Sequence, residues 1–350
     1  VCRSEDGAIP LIVEDQGHSL LFPLSIVSLA RSFKLAVSPI YYNAGPLLDN
    51  ERAVDLIPSA MDQTLDFLRQ IGVDYLSTCA PTFWPKDCVN SINSWFKGHN
   101  AGIHAIYAHM INTRDTTFDE ILKTKFSKQS RNRIRKAEKR GVEVIKIDNL
   151  DGIQKWIDDI YRCNLSALRR QRRLGAYPDS YKDVYLSELL SSKNLLNDHF
   201  NIYAAIYCER LIAYMVIAGF NNIMQVNKAM SHASYLDKCP NDALVAHIAK
   251  DACEQGFEWF QYGWDRVKRA GRIKSLYASL QNFKFKFGFE EIPIYIYRLN
   301  LSRKGAMLKH LYTFREFLIT RSASFPESIR NLPMTFYLPR RRRLAAFTHA

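Results

Sequence analysis

The sequence has no apolar run approaching the roughly 18 residues that a membrane-crossing helix needs. The two nearest candidates both fail. "LLFPLSIVSLA" is short and holds Pro23, and "YAAIYCERLIAYMVIAGF" is broken by Glu209 and Arg210. Cysteine spacing that would hold zinc or a redox pair is also missing, because the seven cysteines, at 2, 79, 88, 163, 208, 239 and 253, include no CxxC. They read as reduced thiols of a cytosolic protein, with no metal site expected. No GxSxG elbow occurs, and no Cys–His pair stands out, so nothing indicates a covalent nucleophile.

Apolar residues make up 47% of the 350-residue chain and aromatic residues 12%, enough for folded cores in about two domains. The net charge of +13 points to anionic partners: nucleic acid, phosphorylated substrates or a membrane surface. That charge is concentrated. Lys123 to Arg140 carries nine bases against the single acid Glu138, and residues 301–350 carry ten bases against two acids, leaving the remainder slightly acidic. A third cluster, Arg169, Arg170, Arg172 and Arg173, is partly offset by nearby acids.

Two stretches repeat one order of signals. "IPLIVEDQGHSLLFPLSIVSL" and "IYAAIYCERLIAYMVIAGF" both read as β-hairpins. Each precedes a proline-started helix that runs through a glycine terminator into a strand. In the first copy Met61, Leu65 and Leu68 recur at helical spacing before Gly72, and in the second Leu244, Ile248 and Cys253 precede Gly256. Pro58 to Pro240 is 182 positions and Gly72 to Gly256 is 184, so the copies keep register within two residues and suggest a duplicated α/β unit. Between them, Ser127 or Ser130 can cap a basic helix, Gly141 ends it, "VEVIKI" follows as a strand, and a second helix spans roughly Leu150 to Arg173.

Three motifs, "RNRIRKAEKRGVEV" at 131–144, "RRLGAYPDSYKDVYLSEL" at 172–189 and "LQNFKFKFGF" at 280–289, carry a resemblance to the FemABX family, including its BioF2-like branch. The last matches the family's pattern of Phe-Lys, two residues, then Phe-Gly, at Phe283, Lys284, Phe287 and Gly288. Such a resemblance covers residues 10–300 and implies an α/β (α+β) fold of two tandem GNAT-like domains with mixed sheets. The expected division is 1–125, then 126–300 including a basic linking helix over 127–140, then a helical and basic tail over 301–350. The resemblance implies an enzyme that transfers an acyl or aminoacyl group to an amine of a phosphate-bearing cell-wall or cell-envelope precursor. No cofactor is required, and the donor is either aminoacyl-tRNA or acyl-CoA. It places Lys284 and Arg173 against acceptor phosphates and sets the helix of Arg131 and Arg135 between the two lobes.

The residues themselves add to this. A standard GNAT fold holds the pyrophosphate of acetyl-CoA on successive amides of a Gly-rich loop. The corresponding loops here, "LLDNERAVDLIPSAM" and "SYLDKCPNDALV", have no glycine and put a proline at the helix start, which argues against that mode. Amine attack on an acyl ester needs a base, for which Asp265 and Asp242 are candidates; the competing reading of each is a cap or salt-bridge partner. Strict alternation in "FKFKFGF" predicts a strand with Lys284 and Lys286 on one face and the phenylalanines in the core. Arg272 and Lys274 lie just before it and can join the same anionic pocket. His104 and His109, five apart, read as structural. Arg340–Arg343 is expected to serve peripheral contact with an anionic inner membrane surface, or with tRNA, for a protein of the cytoplasm.

Two alternatives stand beside the transferase acting on a precursor. One is an acyl-CoA-dependent N-acetyltransferase of polysaccharide or lipid modification. The other is a basic RNA-binding module, against which the lack of aromatic residues interleaved with the basic run speaks.

Overall fold

The structure is a computed structural model describing residues 8–15, 18–29, 33–37, 46–48, 54–81, 84–170, 181–220, 222–265 and 275–307. Arg173, Arg272, Lys274 and Arg340–Arg343 lie outside these residues. The chain divides into two compact units: Val1–His104 with Tyr295–Ala350, and Ala105–Ile294. The sequence expectation put its boundaries instead at 125 and 300. The fold is mixed α/β, with parallel and antiparallel strand pairs in each unit.

In the first unit β1 (Ala8–Asp15) and β2 (His18–Leu29) form the expected hairpin, and β3 (Phe33–Val37) extends it. A short β4 (Leu47–Leu48) pairs with β2. Helix α1 (Leu56–Gln70) then crosses over to β5 (Tyr75–Cys79), which lies parallel to β3 and antiparallel to the end of a strand described below. The period-2 pattern of β2 buries Leu20, Phe22, Leu24 and Ile26. They meet the α1 stripe of Ile57, Met61, Leu65 and Leu68, each fully or almost fully buried and each contributing about 1.5–3 kcal/mol. Helix α2 (Lys86–Gly98) completes this core by stacking Phe96 on Tyr297, centroids 4.2 Å apart.

The second unit repeats the order. Strand β6 (Gly102–Asn112) leads into α3 (Phe118–Thr124) and the basic α4 (Lys128–Lys139), capped at Ser127 as the sequence suggests and ended at Gly141, φ +75°. After β7 (Glu143–Ile147) come α5 (Leu150–Arg170) and α6 (Tyr181–Leu196). A hairpin of β8 (Phe200–Tyr207) and β9 (Arg210–Phe220) feeds β10 (Ile223–Ser231). Helix α7 (Pro240–Glu254) crosses over to β11 (Trp259–Asp265), parallel to β10, and α8 (Ser275–Lys286) leads to β12 (Glu290–Asn300). Strand order in this unit runs β7-β8-β9-β10-β11-β6. One core, including Leu244, Ile248, Phe260 and Phe287, lies toward α4 and α7, and another, including Ile153, Ile160 and Tyr214, lies toward α5 and α6.

One local expectation is corrected. "FKFKFGF" is not a strand; its first half closes α8. Alternation over five residues is too short to set a period, whereas Gln281, Lys284 and Phe287 recur every three residues and are the buried ones between 281 and 287. Phe285, expected in the core, is 47% exposed. The glycine of the motif has a backbone reason. Gly288 has φ +73°, and a Cβ there would lie 2.7 Å from the Lys125 carbonyl oxygen, so only glycine closes this helix end.

No helix among the described residues is long and apolar enough to cross a membrane. The six described cysteines are all free thiols, and burial pushes that of Cys163 up to about 12, leaving it unreactive.

Candidate functional site

In the second unit the parallel strands β10 and β11 pair over only three positions, Ile223↔Trp259, Met224↔Phe260 and Gln225↔Gln261. Both strands become irregular at the next step: β10 shifts register against β9 between Val226 and Lys228, and β11 against β6 between Gln261 and Trp264. Gly263 permits the second bulge with φ +59°. Beyond these points no further pairing joins β10 to β11 among the described residues, so the sheet loses its ladder next to the N-terminus of α7.

Asp242 sits in the first turn of α7 with 2% of its surface exposed. Burial pushes its carboxyl above the usual range, opposed by Arg133 and, more weakly, by Lys286. Arg133 Nε lies 2.9 Å from Asp242 Oδ1, although its N–H is not aimed along the contact. The Asp242 charge adds to the burial that raises the hydroxyl of Tyr262, keeping that residue protonated. Lys284, 2% exposed, comes in from α8 and places its ammonium 5.9 Å from the centroid of the Tyr262 ring. Arg133, Asp242, Tyr262 and Lys284 therefore form a chain of neighbours drawn from α4, α7, β11 and α8.

Besides its charge near Asp242, Lys286 acts through its backbone. Its carbonyl accepts from Ser127 N at 2.8 Å and Ser130 Oγ at 3.0 Å, tying the end of α8 to the start of α4. Arg131 is spent on the end of α3, donating to the carbonyls of Leu122, Lys123 and Phe126. Arg135 is exposed. Asp265 ends β11 opposite Tyr107, and its side chain is outside the described set. His109 is fully buried on β6, with its ring 5.8 Å from Phe285.

Sequence reasoning missed Arg133 and Tyr262, and it missed a second polar group on the α5 and α6 side. There Tyr185 OH lies 3.0 Å from Tyr214 OH, which donates at 2.5 Å to Asn164 Oδ1. All three are buried, and burial holds both phenols protonated. Lys228, just past the β10 bulge, stacks its ammonium 3.7 Å from the Tyr185 centroid. These residues are 14 to 64 positions apart, and no short motif joins them.

Among the described residues no group of three His, Cys, Asp or Glu is placed to hold a metal ion. The cluster is suited to acyl transfer to an amine: a carboxylate of raised basicity to receive a proton, and a buried ammonium to stabilise negative charge.

Comparison with known proteins agrees with this fold. Residues 124–269 match the family described as acetyltransferase (GNAT) domain. Among solved structures, the chain is similar to the C-terminal domain (DUF2156) assigned to a lysylphosphatidylglycerol synthetase of Agrobacterium fabrum, at TM-score 0.56 and 14% identity over 88% of each chain. It is similar to FemX at TM-score 0.53 and 13% identity, covering 87% of this chain and 90% of that one. It is also similar to L-PGS from Bacillus licheniformis at TM-score 0.52 and 12% identity, covering 89% and 88%. No curated protein matches it by sequence. At these identities the likeness is one of fold.

Proposed function

With a GNAT-type acyltransferase domain over residues 124–269 as the premise, we propose that the chain transfers an acyl or aminoacyl group to an amine on a phosphate-bearing acceptor of the cell envelope. The observation that carries this reading is that the buried Lys284 and the buried Asp242 both neighbour Tyr262. Asp242 takes the proton of the attacking amine, and its raised pKa makes it the stronger base. The new C–N bond forms at the acyl carbonyl as the bond to the donor oxygen or sulfur breaks, and the proton leaves with that group. Lys284 stabilises the tetrahedral oxyanion or the acceptor's phosphate. The likeness to a lysylphosphatidylglycerol synthetase domain supports an acceptor of the cell envelope, and on this reading the reaction takes place in the cytoplasm at the inner membrane surface.

An aminoacyl ester, as carried by tRNA, fits better as donor than acyl-CoA. At the start of α7 Pro240 supplies no N–H, and the Cys239 carbonyl already accepts from the amides of Asp242 and Ala243 at 3.2 and 3.3 Å. A pyrophosphate there would also face the Asp242 carboxylate. The CoA-dependent reading keeps one support, the acetyltransferase description of the matching family.

Thermal shift of the full chain with a UDP-linked muramyl peptide and, separately, with acetyl-CoA tests both readings. A ligand at a hundred times its Kd stabilises by about 2.7 kcal/mol. Stabilisation by the muramyl peptide alone is expected; stabilisation by acetyl-CoA alone would overturn the choice of donor and acceptor.

A further inference from the structure

Helix α4 sorts its positive charge by chemistry. At about 100° per residue, the buried Ser130, Ile134 and Ala137 centre on one side of the helix. Lys128, Asn132, Arg135, Lys136 and Lys139 fall within an arc of about 100° on the opposite side, and all five are exposed. Glu138, the helix's one acid, lies off that arc. The arginines flanking the buried face turn inward: Arg131 caps α3 and Arg133 meets Asp242. Arg140, just past the helix, bonds Asp237 at its carbonyl oxygen and its carboxylate. None of Lys128, Arg135, Lys136 or Lys139 has a hydrogen bond or ion pair among the described residues, and these four form a row about 16 Å long.

We infer that this outer face of α4 is a docking surface for an anionic lipid bilayer. Three observations favour lipid over nucleic acid. Three of the four outward charges are lysines, point charges without a fork, whereas the other arginines of the run, Arg131, Arg133 and Arg140, are engaged by protein partners. The arc carries no aromatic side chain on which a base could stack. The row is straight and free of acids, so all four charges can approach one plane within the roughly 8 Å screening length of physiological salt. Such a surface brings the second unit to a membrane without inserting any segment. The inference is independent of the transfer reaction proposed above.

The test is co-sedimentation of the full chain with vesicles of phosphatidylcholine alone and with 30% phosphatidylserine, at two salt concentrations, with an RNA duplex as competitor. Each charge near the surface is worth about a fivefold change in partitioning. The variant carrying Lys128→Gln, Arg135→Gln, Lys136→Gln and Lys139→Gln should therefore bind the anionic vesicles roughly 600-fold more weakly, with an unchanged melting temperature. Lys284→Met should bind them like the parent, which separates this surface from the proposed acceptor site. Loss of binding only when Arg340–Arg343 are changed to Gln would overturn the inference. So would binding that does not distinguish the two vesicle types, or tighter binding to the RNA than to the anionic vesicles.

Discussion

Each unit buries one aspartate among its described residues, and the two are held differently. In the first unit Asp74, 7% exposed, is satisfied by neutral donors: Lys34 N gives to Oδ2 at 3.0 Å and Ser302 Oγ to Oδ1 at 2.5 Å. Its backbone joins the same knot, with its N–H on the Lys34 carbonyl and its C=O accepting from Leu301 N. In the second unit Asp242 meets the side of an arginine that is itself 43% exposed, and burial raises its pKa. The surrounding modules are alike: hairpin, strand, crossover helix ended by a glycine at φ +73° or +74°, and parallel return strand. The difference teaches that a repeated scaffold can hold one buried carboxylate on neutral donors and set the other beside an arginine, with its pKa raised by burial.

The largest effect that would sharpen this contrast is on stability. Asp74→Ala removes the acceptor from two part-buried donors and should cost about 3 kcal/mol in urea denaturation of the full chain. A loss under about 1 kcal/mol would break the structural assignment of Asp74. Next come the matched glycines. Gly72→Ala and Gly256→Ala both force a Cβ into a left-handed turn with open space around it, so each should cost about 1 kcal/mol. Clearly unequal costs would mean the two crossovers are not equivalent. The smallest effect is in pH dependence. Because the folded-state pKa of Asp242 is raised, the stability it contributes is present below its ordinary value near 3.8 and is lost as pH rises through the folded value. Asp242→Asn should therefore lose less stability than the parent across that window, read as the urea midpoint at several pH values; parallel curves would contradict the shift.

Much of this architecture is legible in the sequence because it rests on local signals. Ser127 and Gly141 bracket α4 as a cap and a left-handed terminator should, and the glycines at 72 and 256 end α1 and α7. Pro240 opens α7 as read, while Pro58 falls two residues inside α1. Lys284 was legible as a site candidate through its motif, but its local structure was misread, because alternating Phe and Lys satisfy a strand pattern over a stretch too short to exclude a helix. The roles of Arg131, Arg133 and Arg135 were not legible, since three arginines in one run differ only in the direction the helix turns them. Tyr262 and the group of Tyr185, Tyr214 and Asn164 depend on contacts between distant elements, which no spacing in the chain records.

The central claim is that the second unit's buried cluster is where the acceptor binds and reacts. Its most direct test is calorimetric titration of the UDP-linked muramyl peptide into the full chain and into Lys284→Met, which keeps the aliphatic stem and removes the charge. Loss of a buried charge that pairs with a ligand phosphate should weaken binding at least about thirtyfold, with circular dichroism to confirm that the variant is folded. Equal affinity in the two proteins would contradict the claim and remove Lys284 from the site.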